Sequence, residues 1–188
     1  MDAKYWKKKR KVIKEYDESA TLYDARFSSE QTRKYEAALK SVRFNQNHVV
    51  LDAGCGTGLL MERIAKLAHF IVGIDFSRQM VKLSKYKLRN SNNVELICAD
   101  VDHLPFRNLI FDQVFAVTLL QNVPDPIRSL QEINRVIKTD GSLIITGLKK
   151  NFTRENFTKM MKKVELETVV LIDREEEIKD YIGVYKLR

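Results

Sequence analysis

The sequence predicts an α/β protein: a doubly wound, mostly parallel sheet of seven strands with an antiparallel hairpin at its C-terminal end. Three observations carry this. Short β-branched apolar runs alternate with helix-period segments between His48 and Lys163. The first run, His48-Val49-Val50-Leu51-Asp52, leads at once into glycines at positions 54, 56 and 58. The last two runs are separated by only Asp173 to Asp180, too few residues for the crossover that parallel strands need.

Two helical patterns come first, over 4–18 and 29–43; in the second, Ser28 or Ser29 can cap, and Tyr35, Leu39 and Val42 fall near i, i+4 and i+7. After the strand at 48–52 come a helix at 58–68, a strand at 70–75, a helix at 78–89 and a strand at 94–99. A loop holding Pro105 leads to a strand at 111–119. The helix at 126–137 is started by Asp125 or by Pro126. A strand at 142–147, a helix at 153–164 opened by Thr153, and strands at 167–172 and 181–187 complete the chain.

With 188 residues, 44% of them hydrophobic and 31% charged, the chain has enough apolar content for one folded domain. Neither a membrane-length apolar run nor a secretory leader is visible, so the expected location is cytoplasmic. Cys55 and Cys98 have no Cys-x-x-Cys spacing and no neighbouring histidine pair, which excludes a disulfide scaffold and a zinc site; no metal is expected. The net charge of +8 is segregated: residues 1–14, 77–90 and 149–163 carry +6, +5 and +5, leaving the remainder acidic. Such segments suit a polyanion, because each Lys or Arg set against a phosphate releases a counterion; solvated helix faces are the alternative for each segment alone.

The glycine turn carries the strongest chemical signal. Alternate glycines let the chain turn tightly and leave no Cβ between backbone and ligand. The spacing is Gly-x-Gly-x-Gly rather than the Gly-x-Gly-x-x-Gly of dinucleotide enzymes. Asp52 sets a carboxylate beside the ligand, which suits a cation. Asp75 ends the second strand and can accept from both hydroxyls of a ribose. Asp100 ends the third and can accept from an adenine amino group, while the Val101 amide donates to a ring nitrogen.

Five blocks in order then resemble a family. They are Val49 to Gly58, Val72-Gly73-Ile74-Asp75-Phe76-Ser77, Ala99 to Phe106, Phe111-Asp112-Gln113-Val114 through Val123-Pro124-Asp125-Pro126, and Leu130 to Gly141. In the last, Thr139-Asp140 stands where proline and glycine are usual. Across about residues 48–147 the chain resembles a class I S-adenosylmethionine-dependent methyltransferase with a Rossmann-like fold, of the methyltransferase type 11 group that includes ubiquinone- and menaquinone-biosynthesis enzymes. The resemblance implies S-adenosylmethionine as cofactor, with S-adenosylhomocysteine as product. It implies that Asp52, Ala53, Gly54, Cys55, Gly56 and Gly58 hold the methionyl end, Asp75 with Phe76 the ribose, and Asp100 with Val101 the adenine. Thr118 completes the cofactor set, and Met80 covers adenine or ribose unless it is ordinary core.

The segment Tyr16 to Asp24 is similar to one that folds over the cofactor in many relatives, which nominates Tyr23 as a lid residue; surface aromatic packing is the alternative. Residues 1–28 are thus expected to form a basic helix and lid, and 29–188 the catalytic domain. Near the tip of the strand at 111–119, Gln121 and Asn122 can hydrogen-bond an acceptor but are not bases. His103 is a candidate acid or base, against plain exposure. The absence of a cap insertion suggests an open site, and with the basic segments 4–14, 78–89 and 149–163 it favours ribosomal or transfer RNA as substrate, with a small activating protein as a further partner. A small-molecule or quinone-like acceptor, indicated by an apolar pocket over Leu119, Leu120 and Phe27, is the second reading; a protein substrate or a non-catalytic module are the others.

Overall fold

The computed structural model describes residues 3–174 and 177–188. Helix α1 spans Ala3–Lys40 without interruption. The two helical patterns of the N-terminal region are therefore one helix, and the expected boundary at residue 28 falls inside it. The physical reason is local: no Gly or Pro occurs between residues 3 and 40, so nothing breaks the ladder, and the Ser19 hydroxyl returns to the Glu15 carbonyl at 2.7 Å.

The remaining elements follow the expected alternation: β1 (Val49–Ala53), α2 (Leu59–Ile64), β2 (Phe70–Asp75), α3 (Arg78–Lys87), β3 (Val94–Cys98), β4 (Phe111–Ala116), α4 (Pro126–Val136), β5 (Ile137–Leu148), α5 (Arg154–Lys163), β6 (Leu166–Ile172) and β7 (Asp180–Leu187). Each longer helix after α1 starts on a side-chain cap. Ser77 accepts from the Met80 amide, Asp125 from those of Ile127 and Arg128 with Pro126 next in line, and Thr153 from Asn156. Strand β5 begins five residues earlier than expected, with its register against β4 shifting between Phe111 and Gln113.

The sheet order is β3-β2-β1-β4-β5-β7-β6. Pairings are parallel from β3 through β5; β7 is antiparallel to both β5 and β6. The C-terminal hairpin is thus present, with its second strand inserted between β5 and the first. Strand β1 pairs with both β2 and β4, so the winding reverses beside it, the place where doubly wound sheets receive ligands at their carboxyl ends.

Period-2 alternation divides the core between the two sheet faces. Leu51, Val72, Leu143 and Ile145 face α4 and α5 through Leu130, Ile133, Phe157 and Met161. Val50, Ile71 and Ile144 face α1 and α2 through Ala38, Leu60 and Ile64. Each such fully buried aliphatic contributes about 1.5–3 kcal/mol. Among the described residues no helix is long and apolar enough to cross a membrane.

Candidate active site

The carboxyl ends of β1, β2, β3 and β4 open on one cavity of about 630 Å³, part of it open to solvent. Its floor begins with the glycine turn, tied to β2 where the Gly54 and Cys55 amides donate to the Ile74 carbonyl at 2.8 and 2.9 Å. Gly56 has φ +53° and open space where a Cβ would stand, so its left-handed backbone, not crowding, demands glycine there. Gly58 differs: at φ +83° a Cβ would meet Ser84 Oγ at 2.5 Å, so this glycine serves the packing of α3 and does not line the cavity.

Asp75 lines the cavity and accepts from the Gly56 amide through Oδ2 and the Ser77 amide through Oδ1, both at 2.9 Å. Burial pushes its carboxyl up to about 6 against the pull of those amides. Asp52 is buried beside the glycine turn and is not itself part of the cavity lining; its Oδ2 has no hydrogen-bond partner. Burial, with the nearby Asp75 charge, pushes it up to about 8. An orphaned buried carboxylate oxygen is costly unless a cation or donor meets it. Asp100 and Val101 line the cavity together; Asp100 Oδ1 accepts from the Asp102 amide at 3.0 Å, which starts a 3-10 turn over Val101–His103.

Thr118 follows β4 in a left-handed conformation, φ 59°, unusual for a β-branched residue and of the kind found at functional sites. Its amide donates to Thr146 Oγ1 at 2.8 Å, and its own hydroxyl meets Gln31 and Lys34. Asn122 Nδ2 donates to the Tyr16 hydroxyl at 2.8 Å and the Thr118 carbonyl at 2.7 Å. Tyr16, Tyr23, Thr118 and Asn122 also line a second pocket, which adds Phe27, Gln31, Lys34 and Gln121. Burial pushes the Tyr16 hydroxyl up to about 12 and Tyr23 higher still, so both are neutral donors at physiological pH.

Of the residues singled out from the sequence, Gly54, Gly56, Asp75, Phe76, Asp100, Val101, Thr118, Tyr23 and Asn122 gather around the first cavity, and Gln121 joins the second pocket. Ala53 and Cys55 are buried beside the glycine turn, the Cys55 thiol pushed up by burial. Met80 is wholly buried and absent from the cavity wall, so its ordinary-core reading fits the structure. His103 is exposed, 2.5 Å from Arg128, and lines neither pocket. Leu119 and Phe27 reach the pockets, whereas Leu120 is core.

The lid expectation named Tyr23 on this helix but missed Lys9, Gln31 and Lys34. Lys9, Tyr16, Tyr23, Gln31 and Lys34 all line pockets, which makes α1 a roof and replaces the expected open site. Lys34 is 2% exposed and pairs with Glu30 at 2.9 Å and with buried Asp180 at 2.8 Å. The approach to Asp180 lacks hydrogen-bond alignment, leaving both oxygens unsatisfied, and burial raises that carboxyl. The missed signal is a stripe at helical spacing, 5, 9, 16, 23, 27, 31 and 34, aromatic and polar rather than aliphatic.

Residues 51–145 match a family described as a methyltransferase domain. The chain is 33% identical over 184 residues to an uncharacterised protein of Methanocaldococcus jannaschii, covering 92% of this chain and 70% of that one. It is 32% identical over 149 residues to demethylmenaquinone methyltransferase of Staphylococcus carnosus, covering 76% of this chain and 62% of that enzyme. In structure it resembles the protein solved in complex with the Trm112 methyltransferase activator of Haloferax volcanii, with a TM-score of 0.76, 17% identity, and coverage of 92% of this chain and 97% of that chain. At that identity the likeness speaks for the fold alone. Fold, site and matches together define an S-adenosylmethionine-dependent methyltransferase. The chain belongs to the methyltransferase domain family.

Proposed function

We propose that this chain binds S-adenosylmethionine in the first cavity and transfers its methyl group to an RNA acceptor held in the second pocket. The observation that carries the donor reading is the cavity lined by Gly54, Gly56, Asp75, Asp100 and Val101 at the strand ends, with the unpartnered, buried Asp52 oxygen close enough to Asp75 for their charges to interact. Asp52 would meet the ammonium of the methionyl end, Asp75 the ribose hydroxyls, and Asp100 with the Val101 amide the adenine. When bound, the donor supplies a methyl group on a sulfonium already electrophilic enough to need no acid. The chain's own work is alignment and exclusion of water. Asn122 and Gln121 hydrogen-bond the acceptor, and Tyr16 and Tyr23 cover it from α1, with their hydroxyls protonated.

RNA is supported by exposed basic side chains on both α1 and α3, two helices that touch where Asp17 meets Ser77 and Gln79 and Asp24 meets Lys87. Lys7, Arg10, Lys11 and Lys14 of α1 and Lys82, Lys85 and Arg89 of α3 are exposed, and Tyr86, 69% exposed, lies 4.5 Å below the Arg89 guanidinium. Two corrections follow. Within segment 149–163 the basic residues from Arg154 on belong to α5, on the opposite sheet face, and Lys87 is engaged by Asp24 at 2.6 Å. The test is transfer of labelled methyl from the donor to total RNA, total protein and a metabolite extract. Label in RNA, with retention weakening steeply between roughly 50 and 200 mM salt, is expected; RNA without label or retention refutes the reading.

The α1 roof favours a second reading, a small planar acceptor between Tyr16, Tyr23 and Phe27, in keeping with the quinone-methylating relative. Label confined to the metabolite extract would establish it. The likeness to the partner of Trm112 supports a small activating protein as a further partner.

A further inference from the structure

We propose that Lys9 is a donor-site residue: its ammonium latches the first turns of α1 over the adenosine end of the cavity, and donor entry and product exit wait for that latch to open. The inference deepens the donor reading above and rests on it.

Lys9 belongs to a basic run whose neighbours Lys7, Lys8 and Arg10 are exposed, yet it is itself 2% exposed. Its Nζ is bonded to Asp100 and lies 2.5 Å from Asp102 Oδ2. Asp102 is also buried and accepts from the Tyr5 and Ser129 hydroxyls. Tyr5, Lys8 and Lys9 stand at i, i+3 and i+4, on one helix face. All three close on the loops around the cavity, Lys8 Nζ donating to the Val123 carbonyl at 3.1 Å. One helical turn therefore bridges the loops that follow β3 and β4, and Lys9 lines the cavity between them.

Charge decides how this contact behaves toward a ligand. Asp100 Oδ1 is taken by the Asp102 amide and Oδ2 by Lys9. A neutral adenine amino group can share the remaining lone pairs of Asp100 but cannot replace an ammonium, because two adjacent part-buried carboxylates without a cation repel each other. The latch consequently closes again over bound ligand instead of being displaced by it. Opening it exposes paired charges, a step with its own rate. Trp6, the chain's single tryptophan, sits in the same turn with its ring centre 5.7 Å from Lys9 Nζ, so its emission reports the latch.

The test is stopped-flow mixing with S-adenosylhomocysteine, followed by Trp6 emission, with affinity from calorimetry. In the wild-type chain the observed rate should level off with rising ligand concentration, at the rate of opening. Lys9→Met should release the ligand about tenfold faster or more and lose the plateau, whereas Lys9→Arg should retain both behaviours. A rate that stays linear in ligand for the wild-type chain overturns the latch and leaves donor binding standing. So does release from Lys9→Met within about twofold of wild type. If calorimetry detects no S-adenosylhomocysteine binding to the wild-type chain, the donor reading and the latch fall together. Should Lys9→Met not fold, the presence or absence of the wild-type plateau decides.

Discussion

Raising the pH from about 5.5 to 7.5 should strengthen donor binding, because Asp52 must lose a proton before it can pair with the donor's ammonium. In the ligand-free chain burial, reinforced by Asp75, holds Asp52 up at about 8, so below neutrality its neutral form dominates. A bound ammonium beside it favours the carboxylate and drives the proton off. Each pH unit below 8 then costs up to about 1.4 kcal/mol, so affinity should rise up to about tenfold per unit until the donor's own α-ammonium begins to deprotonate near 8. Calorimetry in two buffers of different ionisation enthalpy, at pH 6.5, should register up to one proton released per donor bound. Methylthioadenosine, which lacks the amino-acid portion, should release only the smaller fraction that Asp75, at about 6, supplies, and Asp52→Asn should cut the release and the pH dependence to that fraction. Donor affinity that is flat over this range, with the same heat in both buffers, would refute the pairing. The same raised value has a stability consequence with a definite sign. A carboxyl protonated more readily when folded contributes stability below its unfolded value that is lost as pH rises toward about 8. Thermal melts of the ligand-free chain should therefore decline between about pH 4 and 8, and Asp52→Asn should flatten that decline.

Asp75→Ala should weaken donor affinity by about 1–3 kcal/mol, since it strands the Gly56 and Ser77 amides as well as the ribose hydroxyls; unchanged affinity by calorimetry would remove Asp75 from the site. Gly58→Ala should lower stability by about 1–3 kcal/mol in denaturant titrations, through its positive φ and the Ser84 clash, more than Gly56→Ala, where space is open. Lys34→Met should cost about 3–5 kcal/mol of stability because Asp180 loses its cation, and Lys34→Met with Asp180→Leu should recover much of it; equal melting of the single and double variants would count against a coupled pair.

Much of the sheet could be read directly. Strands β1 and β2 and helix α3 are bounded by local signals, an apolar run cut by glycine or an N-terminal serine cap, and each lies within about two residues of expectation. Asp75 and Asp100 were equally legible as cavity residues, because a strand end followed by a turn fixes where the side chains beside it stand, whereas Asp52, one residue before the end of β1, is buried outside the cavity lining. The resemblance assigns Gly58 to the ligand, and Met80 either to the ligand or to ordinary core, whereas their surroundings are α3 and the core. Spacing cannot separate a glycine demanded by a helix from one demanded by a ligand, since both need the same missing Cβ.

The roof was harder to see. Lys9 reads as one more surface charge until its partners at positions 100 and 102 are brought to it, and Lys34 pairs with Asp180 from nearly the other end of the chain. Backbone periodicity and turn chemistry depend on neighbouring residues, so the strand and helix sequence, the glycine turn and its three acids follow from the amino acids alone. The burial of a charge depends on which distant surface docks against it. For that reason only the tertiary structure decided that Lys9 and Lys34 join the expected lid residue Tyr23 in closing the site, and that β7 lies between β5 and β6.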